Sequence, residues 1–222
     1  MRIGIASNII KYYLKDVYFI NGTAYAGKST MVHMLAEKYG MIECGENYHM
    51  AVSRQVSTLQ MQPASSYFST MSGWEEFLNR TPEQYAAWID GTSREAAELE
   101  LLMLIRIAQE GKPVFVDTNI HPETLREISD YNHVAIMLSP QSTSVDRFFD
   151  RSDPDKQFLF RQIELCPDPE LTMSRFRASI ARINNPENYR RFEESGFFTL
   201  VRDENRTQEE TCDLLAKHFK LI

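Results

Sequence analysis

Cysteine is scarce in this chain. Cys44, Cys166 and Cys212 are scattered, odd in number and nowhere paired at metal-ligand spacing. Neither a disulfide framework nor a zinc module is expected, and the three thiols read as small core hydrophobes in a reducing compartment. Positive charge is also short: 24 Lys and Arg face 31 Asp and Glu, for a formal net charge of -7. A surface of that sign repels nucleic-acid backbones and anionic lipid, so neither general nucleic-acid binding nor membrane binding is expected. Long apolar runs are missing, since none approaches the roughly 20 residues that cross a bilayer. The apolar patch from Ile3 to Ile10 is interrupted by Asn8 and followed by no small-residue cleavage site, which leads us to expect a cytoplasmic protein. The five histidines, His49 and His121 among them, show no metal spacing, and neither an internal repeat nor a low-complexity tract occurs.

What remains is an ordinary globular composition, with 43% apolar and 25% charged residues, enough to bury a core. Short β-branched or aromatic runs alternate with longer helical stretches, the pattern of a parallel sheet with crossover helices. Strands are predicted at Val17–Ile20, Met41–Cys44, Pro113–Asp117, His133–Leu138 and Phe197–Val201. Helices are predicted from Lys28 to Tyr39, ended by Gly40, from Arg94 to Glu110 with Leu99, Met103 and Ile107 on one face, and from Thr207 to Phe219. Residues 50–92, punctuated by Pro63, Gly73, Pro82 and Gly91, read as a helical insertion, and Ser152 to Pro169 reads as a mobile loop. Five strands in 222 residues fit a single doubly wound domain spanning 1–222.

The most specific signal is Gly22-Thr23-Ala24-Tyr25-Ala26-Gly27-Lys28-Ser29, followed by Thr30, which matches G-x-x-x-x-G-K-[ST] without a mismatch. Glycines permit a turn in which successive N–H groups point inward at phosphates, and the helix beginning near Lys28 adds its positive N-terminal end. Lys28 can reach the β- and γ-phosphates, and Ser29 can offer a hydroxyl to magnesium. An acidic surface does not oppose this, because local amides and a few cations hold phosphates whatever the global charge.

On this motif and the order of its elements, the chain resembles the P-loop kinase group, which contains nucleoside monophosphate kinases, shikimate kinase and polynucleotide kinase. The resemblance implies a three-layer P-loop NTPase fold, a five-stranded parallel sheet with helices on both faces. It also implies a helical acceptor-side insertion, here about 50–92, and an arginine-bearing lid, here about 147–170. The implied substrates are a magnesium-bound nucleoside triphosphate, with ATP as default donor because no guanine-specifying motif is present, and a small-molecule phosphate acceptor. The implied activity moves the γ-phosphate onto a metabolite, nucleoside or nucleotide. A polynucleotide-end or toxin-type kinase and a nucleotide-hydrolysing switch or ATPase are the alternatives.

Other candidates surround the motif. Asp117, in Val116-Asp117-Thr118-Asn119, ends an apolar strand and is expected beside the loop, provided that its strand and Val17–Ile20 are neighbours. It reads as a magnesium-organising carboxylate, or as an Asx cap before the helix near Pro122. Asp-Thr-Asn after such a strand is similar to polynucleotide kinase. The resemblance gives Glu46, with Glu43 as rival, an acceptor-hydroxyl contact where family members often carry aspartate; a solvated loop glutamate is the plain alternative. Arg147 and Arg151, four apart on one helical face, and Arg161 beyond them are candidates to stabilise transferring phosphate, or surface partners of Asp146, Asp150 and Asp153. Arg175, Arg177 and Arg182 read as a polar helix side. Tyr67, Phe68, Trp74, Phe77, Tyr85 and Trp88 either stack on a planar acceptor or glue the insertion to its domain.

Overall fold

The fold was analysed in a computed structural model, which describes residues 6–140 and 154–222. Five strands, β1 (Val17–Gly22), β2 (Ile42–Cys44), β3 (Val114–Asp117), β4 (Val134–Leu138) and β5 (Phe198–Val201), form one sheet in the order β2-β3-β1-β4-β5. Every pairing is parallel. The pairing of β1 with β3 sets Val17 against Val114 and Ile20 against Asp117, so the acid ends its strand beside the strand that feeds the glycine-rich loop.

Alternation along the strands builds a layer on each face. Val17 and Phe19, Val114 and Val116, and Val134, Ile136 and Leu138 pack on one face with Leu125 and Ile128 of α6 (Pro122–Ile128) and Leu104 of α5 (Pro82–Ala108). Ile10 of α1 (Ser7–Tyr13) joins them. Ile20, Phe115, Ala135 and Met137 face the other way, onto α2 (Lys28–Tyr39) and α10 (Gln208–His218). The result is a three-layer α/β arrangement. Among the described residues no helix is long and apolar enough to cross a membrane.

Two local expectations are corrected. The helix predicted from Arg94 begins at Pro82 and runs 27 residues, because Thr81 and Gln84 form a reciprocal capping box with Pro82 at the first helical position. Gly91 does not break it, and its bare Cα lets Ala64 approach: a Cβ there would lie 3.0 Å from that of Ala64. The stretch read as a mobile loop contains α7 (Pro154–Glu164), and Pro169 opens α8 (Pro169–Ile183) with Asp168 as its side-chain cap. The prolines there start helices rather than prevent them. Ser7–Tyr13, which overlaps the N-terminal apolar patch, is helical.

Residues 50–92 hold α3 (Met50–Val56), α4 (Trp74–Leu78) and the first turns of α5. Phe77, Tyr85 and Trp88 pack with Tyr67 and Trp74 against Phe176 and Ile180 of α8, in a satellite core away from the sheet. Arg80 lies 3.8 Å from the Tyr67 ring centroid, and the Trp88 indole donates to the Ala64 carbonyl at 3.0 Å. The aromatics of the insertion therefore stack on one another and join its helices to α7 and α8, through Trp74 with Phe158 and Tyr85 with Phe176.

Candidate active site

The glycine-rich loop leaves the carboxyl edge of β1 in a backbone that few residues tolerate. Gly22 has φ +134°, and a Cβ built on it would fall 1.8 Å from the Met137 carbonyl oxygen. Gly27 has φ +90° and caps α2. Between them Tyr25, with φ +66°, holds a left-handed conformation that costs a non-glycine residue roughly 1–3 kcal/mol. The surroundings fix it there: Arg202 donates to the Tyr25 carbonyl at 2.8 Å, and Lys156 of α7 sits 4.9 Å from the ring centroid. The loop also hangs from the end of β4. Thr23 N–H donates to Met137 O at 3.0 Å, Ser139 N–H to Thr23 Oγ1 at 2.8 Å, and Ser139 Oγ to Ala24 O at 2.8 Å.

Lys28 and Ser29 open α2, where unpaired N–H groups and the helix dipole favour an anion. The Lys28 ammonium folds back over the loop, 3.3 Å from Thr23 O and 3.8 Å from Asp117 Oδ1, with its side chain only 10% exposed. Ser29 Oγ donates to Asp117 Oδ2 at 2.7 Å. Asp117 is buried, and its Oδ1 has no hydrogen-bond partner. Burial raises the Asp117 pKa, Lys28 and the Ser29 hydrogen bond oppose the rise, and the charge of Glu46 adds to it. A cation, a hydroxyl and a half-satisfied carboxylate thus converge at the mouth of a loop lined with amides. Thr30 follows on the exposed side of α2.

Two clefts flank the loop. The larger, about 540 Å³, is lined by Gly22–Tyr25, by Asn119 and His121 after β3, and by Ala86, Ile89 and Asp90 of α5. Its far wall is the junction of α8 with α9 (Pro186–Glu193), including Arg182 and Arg191. Arg191 is held by both oxygens of Glu123, at 2.9 and 2.8 Å, and contacts His121 Nδ1. Burial and the Arg191 charge lower the His121 pKa, which keeps that ring neutral and able to accept. The smaller cleft, about 230 Å³, lies on the opposite flank, between Ala26, Gly27 and Thr30 and the β5–α10 connection with Arg202 and Arg206.

The sequence candidates separate accordingly. Gly22 through Ser29 and Asp117 form one constellation. Glu46 is exposed and felt electrostatically by Asp117, but it is not part of the larger cleft's wall. Glu43 bonds His33 at 2.9 Å on the surface of α2 and lines neither of these clefts. Arg147 and Arg151 lie outside the described residues. Arg161 is exposed on α7; the cation that α7 brings to the loop is Lys156. Arg175 bonds Asn79 across the satellite core, whereas Arg182, expected on a plain polar face, borders the larger cleft.

Sequence reasoning missed Asn21, Ser139, Arg202 and Glu100. Asn21 and Ser139 carried the same signal as Asp117, a polar residue at the carboxyl end of a buried parallel strand. Arg202, which ends the last predicted strand in the same way, was equally accessible. Glu100 gave no signal. No protein-family model matches this chain, and no curated protein matches it.

Proposed function

We propose that this protein is a P-loop phosphotransferase, which binds a nucleoside triphosphate with magnesium and transfers its γ-phosphate to a small acceptor in the larger cleft. The observation that carries the reading is the convergence of Lys28, Ser29 and Asp117, 3.8 and 2.7 Å apart, at a left-handed glycine-rich loop opening onto a helix N-terminus. The α2 dipole and Lys28 supply fixed positive potential for a polyphosphate.

The donor set fits magnesium. Among the described residues no three acid, histidine or cysteine side chains form a protein cage, but magnesium ordinarily binds through one or two protein oxygens together with substrate phosphates and water. Ser29 Oγ and the unpartnered Asp117 Oδ1 supply such oxygens. When bound, the ion would neutralise charge on the β- and γ-phosphates.

A triphosphate laid along the loop has a cleft at each end. We assign the smaller, beside Gly27 and Thr30, to the donor nucleoside and the larger, beside Gly22–Tyr25 and Asn119, to the acceptor. In the transfer the acceptor oxygen bonds the γ-phosphorus, the bond to the β,γ-bridging oxygen breaks, and the acceptor hydroxyl gives up its proton. With Asp117 given to the metal, we assign the proton to Glu46, the exposed carboxylate whose charge Asp117 feels, although it stands outside the cleft wall. Ala86, Ile89 and Asp90 wall this cleft from the insertion side, which favours transfer over hydrolysis by limiting water.

The test is transfer from γ-labelled ATP, with magnesium, to a pooled set of nucleosides, nucleotides and hydroxylated metabolites. Label in a non-nucleotide-donor product, lost in Lys28→Ala, supports the reading. Release as inorganic phosphate alone, unaffected by any pool, would favour a hydrolysing switch.

A further inference from the structure

The glycine-rich loop sets a strained residue and an idle donor side by side. Tyr25, 6% exposed, holds φ +66°, and Ala26, 4% exposed, follows it. The Ala26 N–H has no hydrogen-bond acceptor among the described residues. An unpaired amide in a residue so buried is costly unless a ligand completes it. What holds this pair comes from the far end of the sheet. Arg202, 177 positions along the chain, donates from Nη1 to the Tyr25 carbonyl at 2.8 Å. Its own backbone N–H is pinned to Leu138 O at 2.7 Å, at the end of β4 from which the loop also hangs. The neighbouring Arg206 is used locally, on Val201 O at 3.2 Å and Asp203 at 3.9 Å.

From this geometry we infer that Arg202 is a positioning residue of the loop: by holding the Tyr25 carbonyl, it aims the Ala26 N–H at a bound polyphosphate. The peptide between Tyr25 and Ala26 is trans and planar, so its N–H points opposite to its carbonyl. With the carbonyl drawn to Arg202, the N–H is turned away from that side chain and fixed in direction. The hold is needed because a left-handed backbone is unfavourable for a residue that carries a Cβ, and a charge-assisted hydrogen bond is of comparable size to that strain. Without the bond the peptide is free to flip, and the N–H turns with it. Arg202 borders the smaller cleft whereas Tyr25 borders the larger, so this one bond spans the loop between them. The role rests on the phosphotransferase reading for the ligand that Ala26 meets, but not for the conformation of Tyr25.

A double-mutant cycle in the full chain tests it: Arg202→Met, which removes the guanidinium, Tyr25→Gly, which removes the cost of the left-handed backbone, and the two together. Should Tyr25→Gly not fold, Tyr25→Asn, which tolerates the same conformation, takes its place. The probe is inorganic tripolyphosphate without magnesium, followed by calorimetry, so that neither a nucleoside nor a metal contributes. Arg202→Met should weaken binding about tenfold in the wild-type background but less than about threefold beside Tyr25→Gly. Equal losses in both backgrounds would mean that the Arg202 charge attracts polyphosphate directly, and would overturn the role, as would wild-type affinity in a folded Arg202→Met. The second readout needs no ligand: the Overhauser effect between the amide and α protons of Tyr25, strongest at positive φ. It should be strong in wild type and weaken in Arg202→Met; the same strength in both overturns the role. If wild type binds neither tripolyphosphate nor ATP, the functional reading fails, and the Overhauser data alone still decide whether Arg202 holds the loop.

Discussion

Replacing Gly22 by alanine should be among the most damaging single-methyl additions available in this protein. The added Cβ falls 1.8 Å from Met137 O, 2.7 Å from Met137 C and 2.8 Å from Met137 N, all of them backbone atoms of β4 that cannot swing aside. Relief requires the β1–β4 ladder to open at its last rung, where Gly22 pairs with Met137 and Thr23 N–H bonds Met137 O at 3.0 Å. That hydrogen bond is worth about 1 kcal/mol net, the φ of +134° adds roughly 1–3 kcal/mol of strain for an L residue, and the displaced packing about 1–3 kcal/mol more. A loss of about 3–7 kcal/mol is expected, a large share of the roughly 5–15 kcal/mol of a typical domain. With a urea m-value of about 2–3 kcal/mol/M, the midpoint should fall by roughly 1–3.5 M. Gly111→Ala is the control, since Gly111 also has positive φ, +79°, but nothing within 4 Å of its built Cβ. It should lose only the backbone strain, about 1 kcal/mol. Equal midpoints for the two variants would refute the steric argument and the loop geometry on which it stands.

Further outcomes follow from the same geometry. Asp117→Asn, whose amide oxygen can still accept from Ser29, should raise the magnesium needed for half-maximal transfer about tenfold, equivalent to about 1.4 kcal/mol; a wild-type magnesium curve would return Asp117 to the role of a cap. Glu46→Gln should lower the transfer rate while ATP affinity stays within about twofold, the signature of a group used only in the transition state; equal losses in both would make it a binding residue. Stability should also report on Glu100, whose pKa burial pushes up to about 8. A carboxyl that holds its proton longer folded than unfolded stabilises fully below its unfolded pKa of about 4.3 and loses that contribution as pH rises towards about 8. Glu100→Gln has no such proton, so its urea midpoint should gain on wild type between about pH 5 and 8. A gap independent of pH would show that Glu100 ionises freely in the fold.

The sheet was legible in the sequence because its strands are short apolar runs with turn residues on both sides. Val114-Phe115-Val116 and Val134-Ala135-Ile136 are buried on both faces and so need no alternation to be found. The loop was legible because its chemistry demands glycine and lysine at fixed spacing. Glu100 shows what was not legible. The predicted face of α5 was Leu99, Met103 and Ile107; Ile107 does pack against the core, but the stripe there runs through Ala97, Leu101, Leu104 and Ala108, and Glu100 is buried in the same helix. A single buried carboxyl in a helix leaves no periodic trace. The larger cleft was hidden for a related reason, since its walls come from α5, the turn after β3 and the α8–α9 junction, which only the fold brings together. The backbone of Tyr25 was not legible either: nothing in a sequence announces that an aromatic residue of the motif will take a left-handed conformation, here with Arg202 bonded to its carbonyl.

The central claim, that the loop from Gly22 to Ser29 is a phosphate cradle, is tested most directly by calorimetric titration of wild type and Lys28→Ala with ATP, with and without magnesium, and with adenosine. Wild type should bind ATP more tightly with magnesium than without it, and adenosine far more weakly than either, because most of the affinity comes from the phosphates. Lys28→Ala should remain folded and lose about tenfold or more in ATP affinity, the loss of one buried charge-assisted contact. A folded wild type that binds no nucleoside triphosphate, or a Lys28→Ala variant that binds ATP as wild type does, would contradict the account.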